Sequence, residues 1–95
     1  MDEYEVEITS EGRSGNVIYK EHGGSLSFWW EFSTTGAFIN IPSDKNWDNY
    51  CERENSVWGK GRKAVIIERV AAETRRQKAT SARVEILDEW INLYF

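Results

Sequence analysis

Ninety-five residues, 40% of them hydrophobic and 14% aromatic with five Trp, are enough for one domain whose core needs neither metal nor disulfide. That apolar content excludes a disordered chain, and no apolar run approaches the ~20 residues that would cross a bilayer as a helix. The net charge of −4 divides into −7 over residues 1–59, +5 over 60–78 and −2 over 79–95. This asymmetry suits attraction between two elements of one fold or steering of a charged partner.

Met1-Asp2-Glu3-Tyr4-Glu5 is acidic and carries no basic-then-apolar signal, and the lone Cys51 fits a reducing compartment. A cytoplasmic protein of one domain, residues 1–95, is expected. Tyr4-Glu5-Val6-Glu7-Ile8 alternates apolar with charged residues, as a strand buried on one face does. Ser10 to Gly15 is a turn cluster, and Asn16 to Lys20 is a second strand. Gly23-Gly24, two residues tolerant of positive φ, predicts a hairpin turn into a third strand, Ser25 to Phe32. Ser33-Thr34-Thr35-Gly36 turns the chain again into Ala37 to Ile41, which Pro42 ends because it cannot donate to a ladder.

These turns predict a register. A Gly23-Gly24 loop sets Tyr19 opposite Phe28 and Val17 opposite Trp30. A loop centred on Thr34-Thr35 sets Trp30 opposite Ile39 and Phe28 opposite Ile41. Pairing Ile8 with Val17 sets Val6 opposite Tyr19 and Glu5 opposite Lys20. One face then gathers Tyr4, Val6, Ile8, Val17, Tyr19, Leu26, Phe28, Trp30, Phe32, Ile39 and Ile41, while the other carries charged residues with Ile18, Trp29 and Phe38. A one-residue slip would scramble this separation.

Ser43 to Gly61 is less legible. Ser43 and Asp44 suit the cap of a short helical turn carrying Trp47, Tyr50 and Cys51, and Asn55 to Gly61 reads as loop. Its aromatics, Trp47, Tyr50 and Trp58, are expected to fold onto something apolar, with a pocket between this loop and the sheet. Arg62 to Ala79 is the long helix: Ile66, Ile67, Val70, Ala71 and Thr74 share one stripe. Arg62, Arg69 and Arg76 lie on another face, with Glu73 four residues beyond Arg69. Ala82 to Phe95 reads as a hairpin around Asp88-Glu89, pairing Ile86 with Ile91 and Val84 with Leu93, with Phe95 on the core face. The fold class is α+β: β-β-β-β-α-β-β, a mostly antiparallel sheet of about six strands with one long helix on one face. The final strand can lie beside the fourth, or the fifth beside the first.

No catalytic constellation stands out. Cys51 and His22 are single and distant along the chain, a Gly-Gly hairpin accounts for His22-Gly23-Gly24, and no catalytic residue is assigned. No HxH or CxxC spacing supports a metal, and Asp44, Asp48, Glu52 and Glu54 read as a solvated acidic loop, so no metal or cofactor is expected. Lys60, Arg62 and Lys63 at a helix start are candidates for an anion contact, without the spacing of a phosphate loop. Nucleic acid is disfavoured on the outer sheet face, where Glu5, Glu7, Glu31 and Glu85 outnumber Lys20 and Arg83.

That outer face is the anomaly. Ile18, Trp29 and Phe38 come from adjacent strands, and Trp90, Tyr94 and Leu87 extend them. A monomer seldom leaves such a patch bare. Loop 43–61, a second copy of the protein, or a partner or ligand would each account for it. The run Ile41-Pro42, Trp47, Trp58-Gly59-Lys60-Gly61-Arg62-Lys63, Glu68-Arg69-Val70-Ala71 and Arg76-Gln77-Lys78-Ala79 resembles small bacterial conserved hypothetical proteins. The resemblance implies a bacterial origin and no assigned activity. The expected function is a non-enzymatic interaction module, homodimeric or binding a protein partner through Ile18, Trp29, Phe38, Trp90 and Tyr94. An immunity or antitoxin protein with a basic target is the sharper version. The alternative is a small-molecule binder or minor enzyme using the pocket at Trp47, Tyr50 and Trp58.

Overall fold

Period-two alternation and tight turns generate most of the architecture. In the computed structural model, which describes residues 3–95, the strands are β1 (Tyr4–Glu11), β2 (Ser14–Glu21), β3 (Gly24–Phe32), β4 (Gly36–Asn40), β5 (Arg83–Ile86) and β6 (Trp90–Tyr94). Helix α1 (Trp47–Arg53), a 3-10 turn (Val57–Gly59) and helix α2 (Lys63–Lys78) lie between β4 and β5. Met1 and Asp2, the first residues of the acidic opening, fall outside the described residues. All five strand pairings are antiparallel, in the order β1-β2-β3-β4-β6-β5. The final strand therefore lies beside the fourth. No helix among the described residues is long and apolar enough to cross a membrane.

The register agrees with the sequence reading at β1–β2 (Ile8 with Val17), β3–β4 (Trp30 with Ile39) and β5–β6 (Ile86 with Ile91). Two expectations are corrected. Val17 pairs with Phe28 and Tyr19 with Leu26, because the two-residue turn is His22-Gly23 rather than Gly23-Gly24. His22 and Gly23 both have positive φ, 52° and 77°, the mark of a type I′ turn. Gly24 is needed for room: a Cβ there would lie 2.7 Å from Nε1 of Trp58. The shift is two residues, so every side chain keeps its face. The second correction is that β4 ends at Asn40, so Phe28 and Ile41 do not pair; the Ile41 amide donates instead to the Glu89 carbonyl (3.0 Å).

Both helices pack on the same face of the sheet. The core joins Val6, Val17, Tyr19, Leu26, Phe28, Trp30 and Ile39 to Trp47 and Cys51 of α1 and to Ile66, Ile67, Val70 and Ala71 of α2. Each buried Val, Leu, Ile or Phe among them contributes about 1.5–3 kcal/mol of transfer free energy, which outweighs an exposed ion pair. Thr74 completes the buried stripe of α2. The core face frays at its margins, where Tyr4, Ile86 and Phe95 are exposed. At the C-terminal end of α2, Glu73 pairs with Arg76 (2.7 Å).

The charge asymmetry resolves inside the fold. Glu21 follows Val17 and Tyr19 on the inner face of β2, and its side chain is 1% exposed. It accepts from Arg62 at 2.7 and 3.1 Å and from Arg69 at 3.3 Å, and Arg69 also donates to the Tyr19 hydroxyl at 2.9 Å. The seven-residue spacing of Arg62 and Arg69 sets both guanidinium groups on one side of α2, within reach of Glu21.

Candidate functional site

Neither helix packs its buried side on the outer face of the sheet. Loop 43–61 packs Trp47 and Cys51 into the core on the opposite side and meets this face only at the Trp29 edge, so it leaves the run across β3, β4 and β6 uncovered. Trp29 and Phe38 meet edge-on with centroids 6.1 Å apart, and Phe38 meets Trp90 at 5.2 Å and 81°. The three rings form a continuous run across β3, β4 and β6. Trp29 is 44% exposed and Tyr94 40%, while Ile18, Phe38 and Trp90 are half-buried by their neighbours.

Charges on this face are partly spent. Lys20 pairs with Glu7 at 2.8 Å. Glu85 accepts from the Tyr94 hydroxyl at 2.8 Å, which lowers its pKa, and the Arg83 guanidinium sits 4.7 Å from the Tyr94 ring. Glu31 lies across the ladder from Phe38 and two residues from Trp29. Among the described residues its carboxylate has no hydrogen-bond or ion-pair partner. The face is therefore aromatic at its centre and acidic in its uncompensated charge.

A second feature sits where β3 and β4 diverge. Past the Trp30–Ile39 pair the strands separate, and α1 fills the gap along the β3 edge. The Tyr50 hydroxyl takes the Ser27 amide at 3.1 Å and donates to the Ser27 carbonyl. The Ser56 hydroxyl donates to the Ser25 carbonyl at 2.9 Å. Side chains thus satisfy backbone groups that a neighbouring strand would otherwise pair. Above this junction a cleft of about 470 Å³ remains, walled by Trp29, Asn40, Pro42, Asn46, Asn49 and Arg53 with Tyr50 at its side.

Of the three aromatics expected around a pocket, Tyr50 alone lines this cleft. Trp47 is 2% exposed in the core, stacked on Phe28, with its indole N–H on the Gly59 carbonyl (2.8 Å). Trp58 packs on Tyr19 and His22, over Gly24. The basic residues at the start of α2 are each engaged: Lys60 with Glu52, Arg62 with Glu21, and Lys63 with Asp44 and Asp88. The acidic loop is dispersed in the same way, since Asp48 accepts from the Gly61 amide. No group of three or more metal-ligating side chains occurs among the described residues.

Cys51 is fully buried, and burial pushes its pKa up to about 11, with the Asp48 carboxylate adding to the effect. At pH 8 its alkylation should run roughly two orders of magnitude slower than that of a free cysteine, as followed by mass spectrometry. Labelling at the free rate would mean that α1 opens readily.

Sequence reasoning missed Glu21 and the Asn46, Asn49, Arg53 set. Alternation on β2 already placed Glu21 with Val17 and Tyr19, and the paired arginines supplied its cations. The α1 set had no such signal, because the cleft depends on where two strands part. The fold is thus an open six-stranded antiparallel sheet with both helices on one face. No family model matches the chain, and no curated protein and no solved structure is detectably similar to it.

Proposed function

We propose that the protein is a non-enzymatic interaction module of the cytoplasm that binds a protein with a basic surface across the outer face of its sheet. The observation that supports this most is the uncovered run Trp29–Phe38–Trp90 on the side opposite both helices. Aromatic side chains at the centre of a patch supply most of the energy in protein interfaces. The free Glu31 carboxylate and the acidic excess around it favour a cationic partner. They disfavour a twofold dimer, which would set this face against its own charges. An immunity or antitoxin protein, docking on a basic target, is the sharpest form of this reading.

The protein should run in solution at the 11.1 kDa of one chain. Proteins retained from a cell lysate by the wild type should be basic, released at about 0.5 M salt, and absent with a Trp29→Ala/Trp90→Ala double variant. A dimer broken by that variant would make the face a self-association surface. Equal retention by both proteins would remove the face from the function altogether.

A further inference from the structure

We infer that the cleft between α1 and the diverging ends of β3 and β4 binds a small carboxylate with a flat apolar body. Its volume, about 470 Å³, falls in the range of ~300–1,000 Å³ typical of ligand pockets. Asn46, Asn49 and Arg53 recur at i, i+3 and i+7, so one side of α1 is presented to the cleft while Trp47 and Cys51 turn to the core. None of these three side chains has a hydrogen-bond or ion-pair partner among the described residues. The Arg53 guanidinium stands 5.7 Å from the Tyr50 ring, and that ring is pinned through its hydroxyl on Ser27.

The chemistry of the lining selects the ligand. The amides and the guanidinium offer more donors than acceptors, and the Tyr50 hydroxyl is already committed to Ser27. No carboxylate lines the cleft, although residues 1–59 carry −7. A ligand must therefore bring acceptors, and negative charge suits the one cation present. A planar guanidinium meets a carboxylate with two parallel hydrogen bonds. The exposed indole of Trp29 at the lip offers a flat apolar surface for the rest of the molecule.

Benzoate, benzamide and benzylamine present one ring with three charges. Titrated into ¹⁵N-labelled protein, benzoate should move the side-chain signals of Asn46, Asn49, Arg53 and Trp29 saturably. Benzamide should act more weakly, and benzylamine should leave them in place. Arg53→Gln should weaken benzoate binding at least tenfold, while Arg76→Gln, which removes an exposed charge outside the cleft, should not. The inference is overturned if benzylamine matches benzoate, if Arg53→Gln binds benzoate unchanged, or if no saturable shift occurs up to ~20 mM.

Discussion

Trp47→Ala should lower the unfolding free energy by about 4 kcal/mol, seen as a fall in the urea midpoint with little change in slope. The indole is the largest fully buried side chain among the described residues, stacked 6.1 Å from Phe28, and its N–H donates to the Gly59 carbonyl. Alanine would leave a cavity and take away one of the two hydrogen bonds that the Gly59 carbonyl accepts, the other coming from the Arg62 amide at 3.1 Å. Helix α1 has seven residues, too few to persist without tertiary support, so its docking depends on this side chain. Trp47→Phe keeps a ring and loses the hydrogen bond, and should cost about 1–2 kcal/mol. A loss below about 1 kcal/mol in the alanine variant would contradict the docking of α1 described above.

Glu21→Gln is expected to cost about 2–3 kcal/mol at pH 7, less than a fully buried ion pair because Arg62 and Arg69 keep partial access to water. The change replaces the carboxylate beneath two guanidinium groups with a neutral amide. It should also alter the pH profile. The Arg62 hydrogen bonds hold the Glu21 carboxyl below its ordinary value of 4.5 in the folded protein. A lowered folded pKa contributes stability that is complete above the unfolded value and fades as pH falls toward the folded one. The gap between wild type and variant should therefore be constant near neutrality and shrink from about pH 4.5 downward. Thermal unfolding at pH 7 and pH 3 reads it, and an equal gap at both would show that Glu21 carries no such charge linkage.

Strand alternation made the two faces of the sheet legible, and it did so even where the pairing was misplaced. Reading Gly23-Gly24 as the turn moved β2 against β3 by two residues, one full period, so Val17, Tyr19, Phe28 and Trp30 still fell inward. The turn chemistry misled because His22 takes a positive φ and Gly24 serves Trp58 instead. The outer aromatics could be placed for the same reason the core could. Residues 43–61 could not, since their course is set by distant partners: Trp47 on Gly59, Tyr50 on Ser27, Ser56 on Ser25, and Lys63 on Asp44 and Asp88. Local propensity carries none of these contacts. The basic residues at the start of α2 are clustered in sequence but spread in space among acids of the same fold, Lys60 on Glu52, Arg62 on Glu21, and Lys63 on Asp44 and Asp88.

The Tyr50 and Ser56 hydroxyls have a meaning beyond packing. Where β4 leaves β3, the strand keeps a stretch of main chain able to template another strand, from this molecule or from a neighbouring one. Tyr50 of helix α1 and Ser56 just beyond it occupy that stretch, as an internal guard against strand addition. A chain whose α1 came loose would expose an adhesive edge as well as an apolar hole. Conditions that undock α1 should therefore convert the protein to aggregates before its β1–β2–β3 meander is lost, and light scattering during the denaturation of Trp47→Ala would reveal that order.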